Sequence, residues 1–470
     1  MRTELSRLVG SANVLEIAPG SPYNSDASRR GLRGRAELVV RPADAGEVAG
    51  VVAWCYRNDV AIVPRGGGTG VSGGAVPIDG GVVCSLERLR RVRELDPGLW
   101  RMLPEAGVST HDVQRLAREN GLMFAPDPGA GEQSQIGGNV ATNAGGPHGL
   151  KYGSTGSWVT GLEVVLAPGE LVELGGWASK DVAGYDLKAL LVGSEGTLGV
   201  ITAVRLRLLP APEQAIPVVA FLPTLAAGCE SIERVLEVGL RPSVLDFLDA
   251  ATLEMLAPGY PREGRWSGDG DGRPPAGAFA LVAEVDGTAE QARADGQALR
   301  ELLEGEALAV HEPADARALW RWRDGINGVV TGMRGAKVSE DVVFPIERMQ
   351  EGLERFEALA RRHGLRSCAW GHGGEGNVHA TVLVDPAREG EFAAAEAVTA
   401  ELFALAVGLG GSISGEHGVG WLKRGQLQLQ WNERALELHE RIKQSFDPKG
   451  LLNPGKKLAR YPARSPDTSI

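Results

Sequence analysis

Cysteine is scarce in this 470-residue sequence: there are four, Cys55, Cys84, Cys229 and Cys368, far apart and set in apolar stretches. No CxxC pair exists, which excludes an iron–sulfur cluster or a thiolate zinc site of the usual spacing and leaves reduced, buried thiols as the expectation. Basic charge is also in deficit, with 49 Lys and Arg against 60 Asp and Glu for a net charge of −11. Nucleic acid is thereby excluded as the main partner, because neutralising phosphates takes clustered cations. Long apolar runs are missing too, since no stretch approaches the roughly eighteen residues of a spanning helix. The start, Met1-Arg2-Thr3-Glu4-Leu5-Ser6-Arg7, has no apolar h-region. The resulting expectation is an acidic cytoplasmic enzyme whose membrane association, if any, is peripheral.

What is present is an apolar fraction of 43%, enough for real cores, in a chain longer than the roughly 250–300 residues at which one core stops growing. Two or more domains are expected. Texture changes near residue 211: before it, short β-rich runs alternate with glycine-rich turns, and after it longer helices alternate with strands. The expected division is an N-terminal lead-in over 1–35, a first domain over 36–211 and a second, α+β in type, over 212–410. A C-terminal segment over 411–457 and a tail over 458–470 follow. Val48, Val51, Val52 and Cys55 at helical spacing predict a helix over 44–56, followed by a strand over 60–63. A short helix over 110–120 stops at Gly121, and helices are expected over 289–303 and 346–363. Residues 258–277, with Gly268-Asp269-Gly270-Asp271-Gly272, have no hydrophobic period and read as a surface loop.

The first glycine cluster, PRGGGTG at 64–70 with Ser72 and Gly73, follows a predicted strand, and Gly68, Gly70 and Gly73 satisfy GxGxxG spacing. A Rossmann turn needs a helix opening inside the motif, yet residues 73–81 are a run of helix breakers. Two alternatives remain open: a plain turn between strands, or a loop whose inward N–H groups form an anion nest. A second cluster of small residues, GGNVATNAGG at 137–146, makes a pair of loops that could clasp a flat, extended cofactor, with Asn139, Thr142 and Asn143 supplying polar side chains. A third, GSEGTLGVIT at 193–202, runs into a strand.

GHGGEGNVH at 371–379 and SGEHGVG at 414–420 gather three of the eight histidines. Two imidazoles and a carboxylate form an open three-ligand set for a divalent transition metal, with positions left for substrate. Strands over 367–371 and 378–384 would bring both rings to one point through the glycine-rich link. A His pair at this spacing, taken alone, is more often a core or surface pair.

These five motifs and FDPKGLLNPGK at 446–456 occur in order over nearly the whole chain. Together they resemble the FAD-dependent D-2-hydroxyacid dehydrogenases of the vanillyl-alcohol oxidase superfamily, a group with D-lactate dehydrogenases, glycolate oxidase flavin subunits and D-2-hydroxyglutarate dehydrogenases. The resemblance implies an α+β architecture: a two-subdomain FAD-binding domain of the p-cresol methylhydroxylase type, a cap domain of the FAD-linked oxidase type, and a C-terminal segment returning to the flavin domain. It assigns FAD contacts to Arg65, Gly66, Gly67, Gly68, Thr69, Gly70, Ser72 and Gly73, then to Pro128, Gly129, Ser134, Gly138, Thr142, Gly145 and Gly153, and finally to Ile201 and Asn453. No histidine lies between Pro64 and Gly74, so the FAD is expected to be non-covalent.

The same resemblance makes His372, His379 and Glu416 ligands of zinc, manganese or iron, and His417 the general base. Arg323 and Lys337 become contacts for the substrate carboxylate, with Asn377 a further substrate contact. Glu375 stands where the family's pattern more often has aspartate. The implied reaction takes a D-2-hydroxy acid, D-lactate or glycolate foremost and D-2-hydroxyglutarate as the alternative, to its 2-oxo acid. Without a Rossmann motif or cysteine cluster, the electrons are expected to leave to an external quinone, cytochrome, electron-transfer flavoprotein or iron–sulfur subunit. A homodimer is the oligomer considered. From a different class, a metal-dependent hydrolase could use the same His and Glu ligands on bound water.

Overall fold

The computed structural model of the chain describes residues 1–18, 20–28, 31–256, 260 and 277–458. Apart from Tyr260 and Gly277, the expected loop over 258–277 lies outside the described residues, as does the expected tail beyond Leu458. The chain forms two compact units. One comprises Met1–Ala144, Ser154–Ala211 and Glu416–Ile470, and the other Gly145–Gly153 and Pro212–Gly415. Among the described residues no helix is long and apolar enough to cross a membrane.

In the first unit a four-stranded sheet runs in the order Val14–Glu16, Leu38–Val40, Val82–Ser85, Ile62–Arg65. Its last three strands are parallel, and the connection between Leu38–Val40 and Ile62–Arg65 is the helix Ala45–Arg57. Asp44 caps that helix by accepting the Glu47 N–H, and Glu47 accepts the Ala43 N–H in return. Val48, Val51, Val52 and Cys55 are fully buried against Ile62, Val82 and Cys84, as their spacing predicts. A five-stranded antiparallel sheet follows, ordered Val92–Asp96, Arg101–Pro104, Val200–Arg207, Val159–Leu166, Glu170–Gly175.

The C-terminal stretch closes this unit through one buried carboxylate. Asp447 accepts the Tyr56 hydroxyl at 2.6 Å, the Leu451 and Leu452 N–H groups, and the Lys443 ammonium at 2.5 Å. Lys443 spends its other donors on the carbonyls of Thr197 and Leu452. Asn453 N then donates to Ile62 O, so the chain's end is stitched to the strand that leads into the first glycine loop.

The second unit is built on a seven-stranded antiparallel sheet, ordered Ala309–His311, Gln214–Leu222, Phe279–Gly287, Val244–Leu248, Arg366–His372, Asn377–Val384, Ala336–Val343. Cross-strand partners share a face. The register pairs Asp246 with His372, His372 with Asn377, Trp370 with His379, and His379 with Asp341. Part of that face is apolar: Leu248, Val282, Cys368, Trp370 and Leu383 form a core with Leu319, Trp322, Ile326 and Val330. The latter four lie on the helices Ala316–Asp324 and Ile326–Arg334. The rest of the face is polar.

One expected loop is a helix. Ile136–Thr142 is α-helical despite two glycines and ends at Asn143 in the left-handed region, φ 53°. Burial explains the override. Ile136 and Val140, four residues apart, are both buried, and a Cβ on Gly137 would sit 2.5 Å from the Ala106 Cβ. Packing pulls this small-residue segment into a helix that propensity alone disfavours.

Replacing Asp447 by Ala would leave the Lys443 ammonium buried without its counter-ion. A loss of about 3–5 kcal/mol is expected, read as a lowered midpoint in chemical denaturation, whereas Tyr56→Phe should cost only about 1–2 kcal/mol.

Candidate active site

The first glycine loop leaves the strand Ile62–Arg65, and no helix opens between Arg65 and Gly81, which removes the Rossmann reading. The loop is pressed against the backbone of 133–135: a Cβ on Gly67 would lie 2.0 Å from the Gln133 carbonyl oxygen, so only glycine is compatible there. The Arg65 guanidinium donates to the carbonyls of Pro22, Ser25 and Ala75 and braces the loop. Open space lies beside Gly70, Gly129 and Gly138, where an added Cβ would meet nothing within 4 Å.

Several polar groups expected to face the cofactor are spent internally. Thr142 Oγ1 donates to Gly138 O, the Ser134 hydroxyl pairs with Thr110 Oγ1, and the Asn139 amide donates to Thr110 Oγ1. Asn143 Oδ1 accepts from Ser154 and Gly156. Ile201 is buried in Val200–Arg207, and Gly145 and Gly153 belong to the second unit.

Other groups are placed to meet a cofactor. Asn453 Nδ2 donates to Gly74 O and Glu195 O, joining the first loop, the GSEGTLG segment and the C-terminal segment. Its Oδ1 is buried and has no partner among the described residues, and the same holds for Gln135 Oε1. Unsatisfied buried acceptors are rare in folded proteins and mark a missing partner. The open glycines and these two acceptors suit a cofactor that brings its own donors. Glu195, at φ 55°, takes the Val419 and Gly420 N–H groups at 2.9 and 2.6 Å. It thereby fixes the peptide just beyond His417.

On the polar face of the seven-stranded sheet, the His372 and His379 rings stand edge to face with centroids 5.5 Å apart. The turn between them requires Gly376, at φ 67°, whose Cβ would lie 2.0 Å from Phe344 O. Asp341 accepts Ser414 Oγ and Gly415 N and so fixes the peptide to which Glu416 is directly bonded. His372, His379 and Glu416 each offer a ligand atom, and the three atoms lie within 4.8 Å of one another. Two nitrogens and an oxygen at this spacing are a fitting donor set for a divalent ion. His417 Nε2 lies 3.9 Å from Glu416 Oε1.

Asp246 is the functional neighbour that motif spacing did not reveal. Its Oδ1 is 2.7 Å from His372 Nδ1, and its Oδ2 accepts from Arg323 Nε at 2.7 Å and Nη2 at 2.5 Å. Burial would raise this carboxyl, but the Arg323 guanidinium and His372 outweigh it and hold it below the usual carboxylate range. The signal was a lone acid amid the apolar run Val244–Leu248, where an ionised group has to be paired. Lys337 Nζ contacts Asn327 Oδ1 and lies 4.8 Å from the Trp370 ring centre. Asn377 is buried, with Oδ1 unpartnered among the described residues. Arg323, Lys337 and Asn377 are thus all placed on the unit that carries the two histidines.

Similarity to known families makes this chain a flavin-linked oxidoreductase. Residues 36–175 match the FAD binding domain family, and residues 211–457 match the C-terminal domain of FAD linked oxidases. The chain belongs to the FAD-linked oxidases, with the p-cresol methylhydroxylase type of FAD-binding domain followed by the oxidase C-terminal domain.

Its relatives include the glycolate oxidase subunit GlcD of Bacillus subtilis (strain 168), 33% identical over 98% of this chain and 97% of that protein. The D-lactate dehydrogenase of Archaeoglobus fulgidus is 35% identical over 95% and 97%. The D-2-hydroxyglutarate dehydrogenase of Xanthomonas citri pv. viticola is 34% identical over 94% and 93%. The fold matches that of p-cresol methylhydroxylase with substrate bound at a TM-score of 0.79, with 18% identity over 97% of this chain and 96% of that one.

Two outcomes follow. Gly67→Ala should yield protein without flavin colour, detected by absorbance after purification. Lys456 is buried, which depresses its ammonium from 10.5 to about 8. The unfolded chain therefore binds more protons between those values, and stability rises with pH through that window. Lys456→Met should remove a rise of up to about 1.4 kcal/mol per pH unit, measured as urea midpoints across the window from pH 8 to 10.5.

Proposed function

We propose that this protein oxidises a D-2-hydroxy acid, D-lactate or glycolate foremost, to the 2-oxo acid, passing the electrons from FAD to an external acceptor. The observation that carries the reading is the convergence of His372, His379 and Glu416 in a chain with an FAD-binding domain. The relatives' names supply the substrate class: glycolate, D-lactate and D-2-hydroxyglutarate. When bound, FAD supplies the acceptor for the C2 hydrogen as hydride, and a zinc, manganese or iron ion supplies Lewis acidity at the substrate hydroxyl.

The side chains divide the remaining work. His372, His379 and Glu416 would hold the ion. Arg323 and Lys337 bind the substrate carboxylate, the arginine through a planar fork suited to two parallel hydrogen bonds. Asn377, with its carbonyl oxygen unpartnered among the described residues, contributes a further contact. His417 takes the hydroxyl proton at an imidazole nitrogen, and its place beside Glu416 puts it next to the ligand set. Orientation by these fixed groups removes the entropic cost of finding the reactive pose. The non-covalent attachment of FAD rests on the absence of histidine between Pro64 and Gly74.

His417→Ala should keep flavin and metal while slowing anaerobic flavin reduction by D-lactate about 10²–10⁴-fold. Rapid mixing in a stopped-flow spectrophotometer measures it, and an unchanged rate would remove the base from the mechanism.

A further inference from the structure

Asp246 is 1% exposed in a strand whose other side chains, Val244, Leu245, Phe247 and Leu248, are apolar and buried. An ionised carboxylate is costly there unless every oxygen has a strong partner. Each oxygen has one, and the two partners differ in kind: a proposed metal ligand on Oδ1 and a proposed carboxylate-binding arginine on Oδ2. Asp249, three residues on, is the contrast. It is half-buried and accepts the N–H groups of Thr252 and of Ala369, both at 2.7 Å. Burial pushes its carboxyl up to about 6. One carboxylate therefore serves the backbone, and the other serves two functional side chains.

Resting on the function proposed above, we infer that Asp246 is a positioning residue that couples the metal to the substrate carboxylate. Through Oδ1 it fixes His372, and through Oδ2 it fixes Arg323. A carboxylate accepts only, so the proton of the His372 ring sits on Nδ1 and the lone pair on Nε2 is available to the ion. The Arg323 fork is held by Nε and Nη2, which sets the plane it offers to substrate. Because both contacts belong to one rigid group on one strand, a shift of the ring displaces the fork. Metal loading and substrate affinity then depend on the same side chain.

Asp246→Asn is the direct probe, because an amide has one acceptor where two donors now converge. The wild type, D246N, D249N, R323M and the double variant D246N/R323M would be purified with flavin and stripped of metal. Each would then be titrated with Zn2+ against a chromophoric chelator, and its KM for D-lactate measured at saturating metal. Zinc affinity of D246N should fall about 10–100-fold with the flavin spectrum unchanged, and KM should rise about tenfold. In the R323M background the KM increment should vanish while the zinc loss persists. D249N should lower the unfolding midpoint and move neither quantity.

D246N with wild-type zinc affinity and KM would overturn the inference. A KM increment that survives in R323M, or an equal zinc loss in D249N, would also overturn it. A wild type that binds no divalent ion would overturn the proposed function itself, an outcome distinguishable from failure of D246N alone.

Discussion

The register of the seven-stranded antiparallel sheet is the constraint on which the site depends. Side chains alternate between faces with period two, so a slip of one residue in Arg366–His372 would send His372 to the opposite face. The pairing of Asp246 with His372, His372 with Asn377, and His379 with Asp341 gathers polar side chains from four strands at one end of a face. The apolar core with Leu319, Trp322, Ile326 and Val330 occupies the other part. The hairpin that sets this register turns at Gly376, where the left-handed backbone and the nearby Phe344 carbonyl leave no room for a side chain.

Buried charge is handled by the same logic in both units. Asp447 answers Lys443, Tyr56 and two backbone donors, and it anchors the C-terminal segment to the flavin-binding unit. Asp246 answers Arg323 and His372. Glu195 answers two successive N–H groups beyond His417. Each carboxylate is fully committed, so each fixes a geometry instead of tolerating several. Four buried acceptors have no partner among the described residues, on Asp26, Gln135, Asn377 and Asn453, and the last three lie in or beside segments to which sequence resemblance assigns ligands.

Much of this was legible in the sequence where a single local rule governs the outcome. The 3.6-residue spacing of Val48, Val51, Val52 and Cys55 announced the helix Ala45–Arg57, and the helix breakers after Gly73 announced that no Rossmann helix follows Arg65. His372 and His379 could be placed on paired strands because the glycines between them forced a tight turn. The helix Ile136–Thr142 was not legible, because its stability comes from burial against Ala106 and not from its own residues. Nor was Asp246 singled out, since its role depends on His372 and Arg323, 126 and 77 positions away. Motif spacing reports neighbours in sequence, and these partners meet only through strand pairing and the packing of a helix on the sheet.

The central claim is that the His372, His379 and Glu416 cluster is the substrate-chelating part of a flavin-dependent oxidation. It is tested most directly by following the absorbance of the bound flavin anaerobically while D- and L-lactate are added, before and after metal removal by a chelator. The account predicts bleaching by D-lactate, none by L-lactate, loss of the response after chelation with the flavin still bound, and its return with added divalent ion. Bleaching by the L-enantiomer, or full reduction by D-lactate after the metal has gone, would contradict it.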